Sequence, residues 1–202
     1  MTFDLLLTLA ERLGVFVFAL SGGIAAVRKE MDVFSAFVLA VLTAVGGGTF
    51  RDMILDVPVF WLTDSVTLWL AIAGGLLAFF FHKVVDAFRP LRWADAMGLA
   101  LFAVTGAAKT ANLGHSPLIV VIMGIMTASA GGILRDVVAQ RDSLLMQEEI
   151  YATAALGGAS VYAALHFGGF PESWAFSAGM LAGFLLRGGA LVFGWSLPKA
   201  RP

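Results

Sequence analysis

Cysteine is absent from this 202-residue chain, which excludes disulfide frameworks, thiolate nucleophiles and metal sites built on cysteine. Charge is scarce as well: Asp, Glu, Lys and Arg together make up 13% of the residues, and the formal net charge is −1. Such a chain has neither a basic surface suited to nucleic acid nor an acidic tail. We therefore expect no nucleic-acid partner.

Histidine, another common metal ligand, occurs three times, at positions too far apart in sequence to form a ligand motif. No metal or cofactor is therefore expected. The chain also lacks a Walker sequence, a nucleophile elbow and a His-Glu-x-x-His motif, so enzyme chemistry has little support.

Apolar sequence is what the chain has in abundance. Hydrophobic residues make up 59% of it, and the mean hydropathy is +0.89, far above the values typical of soluble domains. We predict a single all-α transmembrane domain over residues 1–202. Cutting the chain at its charged and turn-forming clusters leaves seven segments of the ~20 residues that a bilayer-crossing helix needs. They run near Leu5–Val27, Val33–Leu55, Ser65–Val85, Trp93–Ala111, Ser116–Ala139, Glu149–Phe167 and Glu172–Trp195.

The Lys and Arg residues fall in alternate connections, which sets the expected orientation. The second, fourth and sixth connections carry none. The other connections and the tail would then face the cytoplasm, with the N-terminus outside. Their basic residues are Arg28, Lys29, Lys83, Arg89, Arg92, Arg141, Lys199 and Arg201.

An internal repeat organises the chain, because a shift of 84 residues aligns its two halves without a gap. Residues 43–52 then align with residues 127–136, and six of these ten positions are identical. We predict two repeats of three segments each, about 5–88 and 89–170, followed by a seventh helix at about 172–195. An odd number of crossings would insert the second repeat inverted relative to the first, an architecture typical of transport proteins.

Glycine clusters occupy matching positions of the second and fifth segments, Gly46-Gly47-Gly48 and Gly131-Gly132. Consecutive glycines weaken a helix by roughly 1 kcal/mol each relative to alanine. Matched interruptions in two halves indicate a binding or permeation site, so we predict that both helices are broken here, with freed carbonyls that favour a cation. Close helix packing is the alternative. Nearby hydroxyl ligands are Thr43, Thr49, Thr127 and Ser129.

An Arg-Asp pair follows each glycine cluster, Arg51-Asp52 in the first repeat and Arg135-Asp136 in the second. Charged side chains inside membrane segments usually face a cavity or a partner. Since neighbours in sequence point to different sides of a helix, each Arg is expected to pair with a group other than the adjacent Asp. Pore lining and helix-end salt bridges are equal alternatives, and inversion would place the two pairs toward opposite membrane faces.

Three further features have lower weight. Lys109 has no charged counterpart in the first repeat, where Ala25 stands, and is either an interfacial anchor or a cation-repelling gate. Glu11 and Asp95 are related by the repeat and are expected to be helix N-terminal charges. Gly179–Gly183 is a GxxxG pattern suited to packing within or between protomers.

Five short phrases carry a resemblance to a known family. They are Phe18-Ala-Leu-Ser-Gly22, Thr43-Ala-Val-Gly-Gly-Gly-Thr-Phe-Arg-Asp52, Gly98-Leu-Ala-Leu-Phe-Ala-Val-Thr-Gly106, Gly131-Gly-Ile-Leu-Arg-Asp136 and Glu149-Ile-Tyr-Ala-Thr153. Together they resemble the bacterial TRIC family, the prokaryotic relatives of the trimeric intracellular cation channels. The resemblance implies a seven-helix protomer, a homotrimer, and a potassium-permeable pore in each protomer, between two repeats whose second and fifth segments are kinked.

Two function classes follow from these features. The first is a channel for monovalent cations, with the potassium ion and membrane lipids as its partners, in a bacterial inner membrane. The second is a secondary transporter of a small zwitterion such as glycine, since an inverted repeat suits either. A scaffold in which the glycines serve only packing predicts no flux at all.

Overall fold

The structure, a computed structural model, describes residues 3–81, 90–140 and 150–197. Within those ranges the chain forms eight helices and no strand, which confirms the all-α class. The helices are α1 (Phe3–Val27), α2 (Val33–Ile54), α3 (Phe60–Thr63), α4 (Ser65–Phe80), α5 (Pro90–Asn112), α6 (Pro117–Val138), α7 (Ala152–Phe167) and α8 (Glu172–Phe193).

The seven long helices coincide with the seven predicted segments, and α3 is an additional single turn that hydropathy does not reveal. Two stretches of the chain, residues 82–89 and 141–149, lie outside the described residues. They contain the end of the predicted third segment, the first residue of the predicted sixth segment and the connections beside them. Four helices, α1, α2, α6 and α8, are long and apolar enough to cross a membrane. Helices α4 and α7 have 16 residues each, and α5 carries Asp95 and Lys109, so their crossing stays a prediction.

Local sequence signals explain where α2 and α4 begin. Asp32 accepts a hydrogen bond from the Ser35 N–H at 2.8 Å, and Asp64 accepts one from the Val66 N–H at 3.1 Å, so both carboxylates cap free helix amides. The backbone and hydroxyl of Ser35 hold the pKa of Asp32 below its usual value. These caps start each helix directly after a polar turn.

Asp64 also joins α4 to α1 through an ion pair with Arg12, whose Nε lies 3.0 Å from Asp64 Oδ2. The hydrogen bond from Arg12 lowers the pKa of Asp64. A lowered carboxyl pKa stabilises the fold above the usual carboxyl range, and that contribution is lost as the pH falls through the lowered pKa. Both side chains are about one-third exposed, so the pair is worth little.

The helices form two groups that meet along α1, α2, α5 and α6. In the first group α1 packs on α2 and α4, and in the second α5 packs on α6, α7 and α8. Between the groups, α1 contacts α5 and α2 contacts α6. At the α1–α5 contact the rings of Phe18 and Phe102, 84 residues apart in sequence, have centroids 5.1 Å apart. A Cβ at Gly98 would lie 2.1 Å from Phe18, so glycine makes room for the ring.

The α2–α6 contact is a crossing at two glycines. A Cβ at Gly47 would lie 2.1 Å from the carbonyl oxygen of Thr127, and a Cβ at Gly131 would lie 2.3 Å from the carbonyl oxygen of Thr43. Each glycine therefore lets the opposing backbone approach more closely than any side chain would allow. Since Gly47 is nearer the end of α2 and faces Thr127, while Thr43 faces Gly131, the two helices run antiparallel.

The prediction of broken helices requires a correction, because residues 46–48 and 131–132 are helical and both helices continue through them. Close packing, the alternative for these glycines, is what the contacts at the crossing display. The physical reason is that an unpaired backbone group in an apolar surrounding costs several kcal/mol, more than the low helix propensity of a glycine. The helix therefore keeps its hydrogen bonds.

The GxxxG pattern in α8 also serves packing inside one chain. A Cβ at Gly158 in α7 would lie 3.0 Å from the carbonyl oxygen of Gly179 and 3.2 Å from Gly183 Cα. This contact resolves the open choice between packing within and between protomers for the face that carries Gly179 and Gly183.

The crossing predicts a specific sensitivity to small side chains. We expect Gly47→Ala to lower the free energy of unfolding by roughly 1–3 kcal/mol, because the methyl group meets a backbone oxygen that cannot rotate away. Gly183→Ala is the matched control, since its Cβ would have ordinary contacts of 3.5 Å and longer; its stability should be unchanged or slightly raised. Thermal unfolding of the detergent-solubilised protein by circular dichroism measures both. Equal losses in the two variants would contradict the crossing.

Candidate functional site

A cluster of four charges lies at the end of α2, and we call it the Arg51 cluster: Glu11, Arg51, Asp52 and Lys109. Arg51 Nε lies 2.7 Å from Asp52 Oδ1, and Arg51 Nη1 lies 3.0 Å from Glu11 Oε1. Lys109 Nζ reaches the same Asp52 oxygen at 2.9 Å. Arg51 and Asp52 are buried, with side chains 1% and 0% exposed. Two cations and two carboxylates therefore balance inside the protein.

A second cluster lies at the end of α6, and we call it the Arg135 cluster: Ser21, Asp95, Arg135 and Asp136. Arg135 Nε lies 2.9 Å from Asp136 Oδ1, and Arg135 Nη1 lies 2.6 Å from Asp95 Oδ1. The same Nη1 donates to Ser21 Oγ at 2.5 Å. These side chains are buried as well, so the arginine is held by two carboxylates and a hydroxyl.

The two clusters share one bonding plan, 84 residues apart. In each, Nε contacts the next residue's carboxylate, and Nη1 contacts a carboxylate 40 residues earlier. The prediction that each Arg pairs with a group other than the adjacent Asp is therefore right about the distant partner and wrong in excluding the adjacent one. A guanidinium group has five donors in a fixed fork, so a buried Arg bends along its helix to the adjacent carboxylate and still reaches a second one.

Glu11 and Asp95 also differ from their predicted role. Each is a direct partner of a buried arginine and not simply a charge near a helix N-terminus. Glu11 and Ser21 are ten residues apart on α1, about 15 Å at 1.5 Å per residue, and they contact Arg51 and Arg135 respectively. The two clusters therefore lie on opposite sides of the α2–α6 crossing.

Lys109 extends the Arg51 cluster toward a polar cavity. Its side chain is 24% exposed and bound to Asp52, so it is not a freely solvated interfacial anchor. The cavity, which we call the vestibule, has a volume of about 210 Å³ and contains charges of both signs. Its lining residues are Thr8, Glu11, Arg12, Pro58, Phe60, Thr63, Asp64, Thr67 and Lys109.

The predicted hydroxyl ligands all bond to their own helices. Thr43 Oγ1 donates to Leu39 O and Thr127 Oγ1 donates to Met123 O, both at 2.6 Å. Thr49 and Ser129 make the same bond one turn back. Because each hydrogen is donated within the helix, the outward face of each hydroxyl oxygen presents lone pairs.

The structure brings some predicted site residues together and separates others. Thr43, Thr127, Gly47 and Gly131 meet at the crossing. Ser129, by contrast, lines an apolar cavity of about 310 Å³ together with Phe50, Met126, Ala130, Ile133 and Leu134. Gly46 belongs to that side as well, because its Cβ would lie 2.6 Å from Leu134 Cδ1.

Four residues at the clusters were missed by sequence reasoning: Ser21, Phe60, Tyr151 and Arg187. A Cβ at Gly48 would lie 2.5 Å from Phe60 Cε1, and one at Gly132 would lie 2.4 Å from the Tyr151 hydroxyl. The Arg51 guanidinium lies 5.6 Å from the centroid of the Phe60 ring, and that of Arg187 lies 5.2 Å from the Tyr151 ring. Arg187 was detectable as a charge within an apolar segment, whereas the two aromatic residues carried no such signal.

Comparison with known proteins gives consistent matches over nearly the whole chain. A family model described as "Glycine transporter" matches residues 8–83 and 92–167, two segments offset by the 84-residue shift. The UPF0126 inner membrane protein YadS of Escherichia coli (strain K12) is 40% identical over 194 residues, covering 92% of this chain and 91% of the relative. The UPF0126 membrane protein of Vibrio cholerae is 39% identical over 201 residues, covering 96% of this chain and 82% of the relative.

Two solved structures have the same fold. The TRIC trimeric intracellular cation channel orthologue from Rhodobacter sphaeroides is 40% identical and superposes with a TM-score of 0.90, covering 94% of this chain and 99% of the other. A second structure, described as the structural basis for conductance through TRIC cation channels, is 32% identical. It superposes with a TM-score of 0.88, covering 100% of this chain and 98% of the other.

The ion pairs differ in burial, and this difference predicts how strongly the loss of each arginine destabilises the fold. We expect Arg135→Gln to cost about 3–5 kcal/mol of unfolding free energy, because Asp95 and Asp136 would be left buried without their cation. Arg51→Gln should cost less, since Lys109 still neutralises Asp52 and Glu11 is 18% exposed. Arg12→Gln, the control from an exposed pair, should cost less than about 1 kcal/mol.

Denaturant unfolding in detergent measures this ranking. Adding Asp95→Asn to Arg135→Gln should recover part of the loss, because it removes one of the stranded charges. A loss for Arg12→Gln as large as that for Arg135→Gln would contradict the ranking.

Proposed function

This chain belongs to the TRIC/UPF0126 family of membrane proteins, and on that premise we propose that it is a monovalent-cation channel that conducts potassium. The named relatives are membrane proteins and channels, not enzymes, and the two solved ones are described as cation channels. One observation carries the proposal: clusters of ion-paired side chains built around a buried arginine lie on both sides of a glycine crossing between the two helix groups.

We place the pathway between the two helix groups of each protomer. It runs from the vestibule through the Arg51 cluster to the α2–α6 crossing and on to the Arg135 cluster. Gly46 and Ser129 are left out, because Ser129 lines the apolar cavity and Gly46 faces the side chain of Leu134. The proposed lining residues are Thr43, Gly47, Gly48, Thr49, Arg51, Asp52, Thr127, Gly131, Gly132, Arg135 and Asp136.

Selection of a cation is supported by the oxygen atoms at the crossing. The carbonyl oxygens of Thr43 and Thr127 lie there against Gly131 and Gly47, whereas the hydroxyls of the same two threonines lie against Gly22 of α1 and Gly106 of α5. Oxygen lone pairs replace part of the hydration shell of a cation and repel an anion. The same contacts leave no room for an ion, so conduction requires α2 and α6 to separate at this level.

Lys109 is proposed as a gate group at the entrance. Its ammonium group borders the vestibule and neutralises Asp52, so it lowers the local concentration of cations at this end of the pathway. The first repeat has Ala25 at the equivalent position, and the two ends therefore differ in charge.

The proposed arrangement in the membrane follows the sequence prediction. Seven helices cross an inner membrane as two inverted repeats plus α8, with the N-terminus outside and the C-terminus in the cytoplasm, consistent with the alternating Lys and Arg residues. Three copies assemble, since the Rhodobacter sphaeroides relative is described as trimeric.

Transport of a small zwitterion such as glycine is the second candidate. The observation in its favour is the vestibule, where Arg12 and Lys109 supply positive charge and Glu11 and Asp64 supply negative charge. The solved relatives described as cation channels favour conduction. A channel gives unitary currents, whereas a transporter saturates and exchanges its substrate.

The deciding experiment uses purified protein in planar bilayers under a potassium gradient, paired with glycine counterflow in vesicles. We expect discrete currents that reverse near the potassium equilibrium potential and no glycine exchange. Glycine exchange without currents would overturn the channel proposal in favour of the transporter, and no flux of either kind would favour a scaffold.

The gate proposal predicts the effect of one charge. Lys109→Gln should raise the potassium current several-fold at low salt, because Arg51 alone would then face Asp52 and Glu11 and the cluster would carry a net negative charge that attracts cations. The gain should shrink at high salt as the charge is screened. Lys29→Gln is the matched control, since Lys29 binds the carbonyl oxygen of Gln140 outside both clusters. An unchanged current in Lys109→Gln at every salt concentration would refute the gate.

A further inference from the structure

Tyr151 covers Gly132 at the Arg135 cluster, in the space that a side chain at position 132 would occupy. A Cβ at Gly132 would lie 2.4 Å from the tyrosine hydroxyl and 3.7 Å from Asp95 Oδ1. Tyr151 is 1% exposed and Asp95 is 0% exposed. The hydroxyl and the carboxylate are therefore buried beside the same point of the proposed pathway.

Both groups have an unused hydrogen-bonding atom. Among the described residues, no group hydrogen-bonds to the Tyr151 hydroxyl, and none donates to Asp95 Oδ2. Buried polar atoms without a partner are rare in native proteins, because each loses its hydration without compensation. A donor and an acceptor thus lie near each other, buried and unpaired, while Asp95 Oδ1 is bound to Arg135 at 2.6 Å.

We propose that Tyr151 is a movable plug of the pathway, an inference that rests on the proposed channel function. Over Gly132 the end of its ring occludes the Arg135 end of the pathway, since both the hydroxyl and the ring atom Cζ, which would lie 3.5 Å from a Cβ at Gly132, cover the glycine. When the ring turns away from Gly132, the hydroxyl donates to Asp95 Oδ2 and the space over the glycine opens. Because Asp95 forms an ion pair with Arg135, the new hydrogen bond to its carboxylate is charge-assisted and stabilises the open position.

The position of Tyr151 in the chain permits this movement. The residue is the N-cap of α7 and makes no side-chain capping bond, so its side chain can turn without disturbing the helix. Its ring also faces the Arg187 guanidinium, 5.2 Å from the ring centroid. The flat face of the ring therefore has an attractive contact that guides the turn.

Phe60, which covers the equivalent Gly48 at the other end, lacks these properties. It lies inside α3, its N–H donates to Asp52 Oδ2 at 2.9 Å, and the next residue, Trp61, donates to Thr49 Oγ1 at 2.9 Å. A phenylalanine has no hydroxyl that an alternative position would satisfy. The two aromatic covers thus differ, and the movable one is at the Arg135 end.

The test measures open probability in planar bilayers for variants of the full-length protein. Tyr151→Phe should lower it by about tenfold, because the open position loses a charge-assisted hydrogen bond and the occluded position loses an unsatisfied hydroxyl. Tyr151→Ala should raise it several-fold, because it removes the ring that covers Gly132 and leaves the space over the glycine open. Tyr162→Phe is the matched control. Tyr162 is the other tyrosine of the chain, and its hydroxyl donates to Glu172 Oε2 at 3.1 Å, so the open probability of this variant should equal that of the wild type.

Melting temperature in detergent supplies a readout that does not depend on conduction. Tyr151→Phe should raise it by removing a buried unpaired hydroxyl, and Tyr162→Phe should lower it by removing a hydrogen bond. Normal wild-type currents with an unchanged open probability in Tyr151→Phe, or an unchanged open probability in Tyr151→Ala, would overturn the plug and leave the channel intact.

Absence of wild-type currents together with the expected melting shifts would overturn the channel function while supporting the Tyr151 contact. If Tyr151→Ala fails to fold, Tyr151→Phe, which keeps the ring and removes only the hydroxyl, still decides the matter.

Discussion

A guanidinium group buried in so apolar a chain is stable only where carboxylates neutralise it in place. This requirement connects the helices of the site to one another. Arg51 ties α2 to α1 through Glu11, and Arg135 ties α6 to α5 through Asp95 and to α1 through Ser21. Between these two anchors, the close approach of α2 and α6 is left to glycine and to backbone oxygen. The polar interior is thus confined to the ends of one crossing.

The two ends follow the same plan but differ in chemistry. Ser21 binds Arg135, and the shift of 84 residues relates this pair to Thr105 and Arg51. In the part of the chain that the structure describes, Thr105 Oγ1 and Arg51 Nη2 have no hydrogen-bond partner, although both are buried. Lys109, which has no counterpart in the first repeat, binds Asp52 instead. The Arg135 end is bonded across the two helix groups by a hydroxyl, and the Arg51 end by an ammonium group.

Hydropathy and the 84-residue register were enough to predict the helices, because length and charge placement determine which segments can be buried in lipid. They also brought Arg51, Asp52, Arg135 and Asp136 to the site. The sequence did not predict the bond between each Arg and the adjacent Asp, since side-chain bending is set by the surrounding protein and not by helical spacing. The continuous helix at the glycines was missed for a related reason: low propensity is a local quantity, whereas the contact with Thr127 that explains Gly47 involves residues 80 positions away.

The aromatic covers of Gly48 and Gly132 have a consequence for how such a molecule diversifies. Phe60 follows its glycine by 12 residues and Tyr151 follows its glycine by 19, so the two are not related by the 84-residue shift. A duplicated gene yields two copies within a single chain, and each copy then acquires substitutions separately. A homodimer of single repeats has no such freedom, because every substitution appears at both ends. In a single chain, one end of the crossing can therefore carry an aromatic hydroxyl, at Tyr151, where the other end has the plain ring of Phe60.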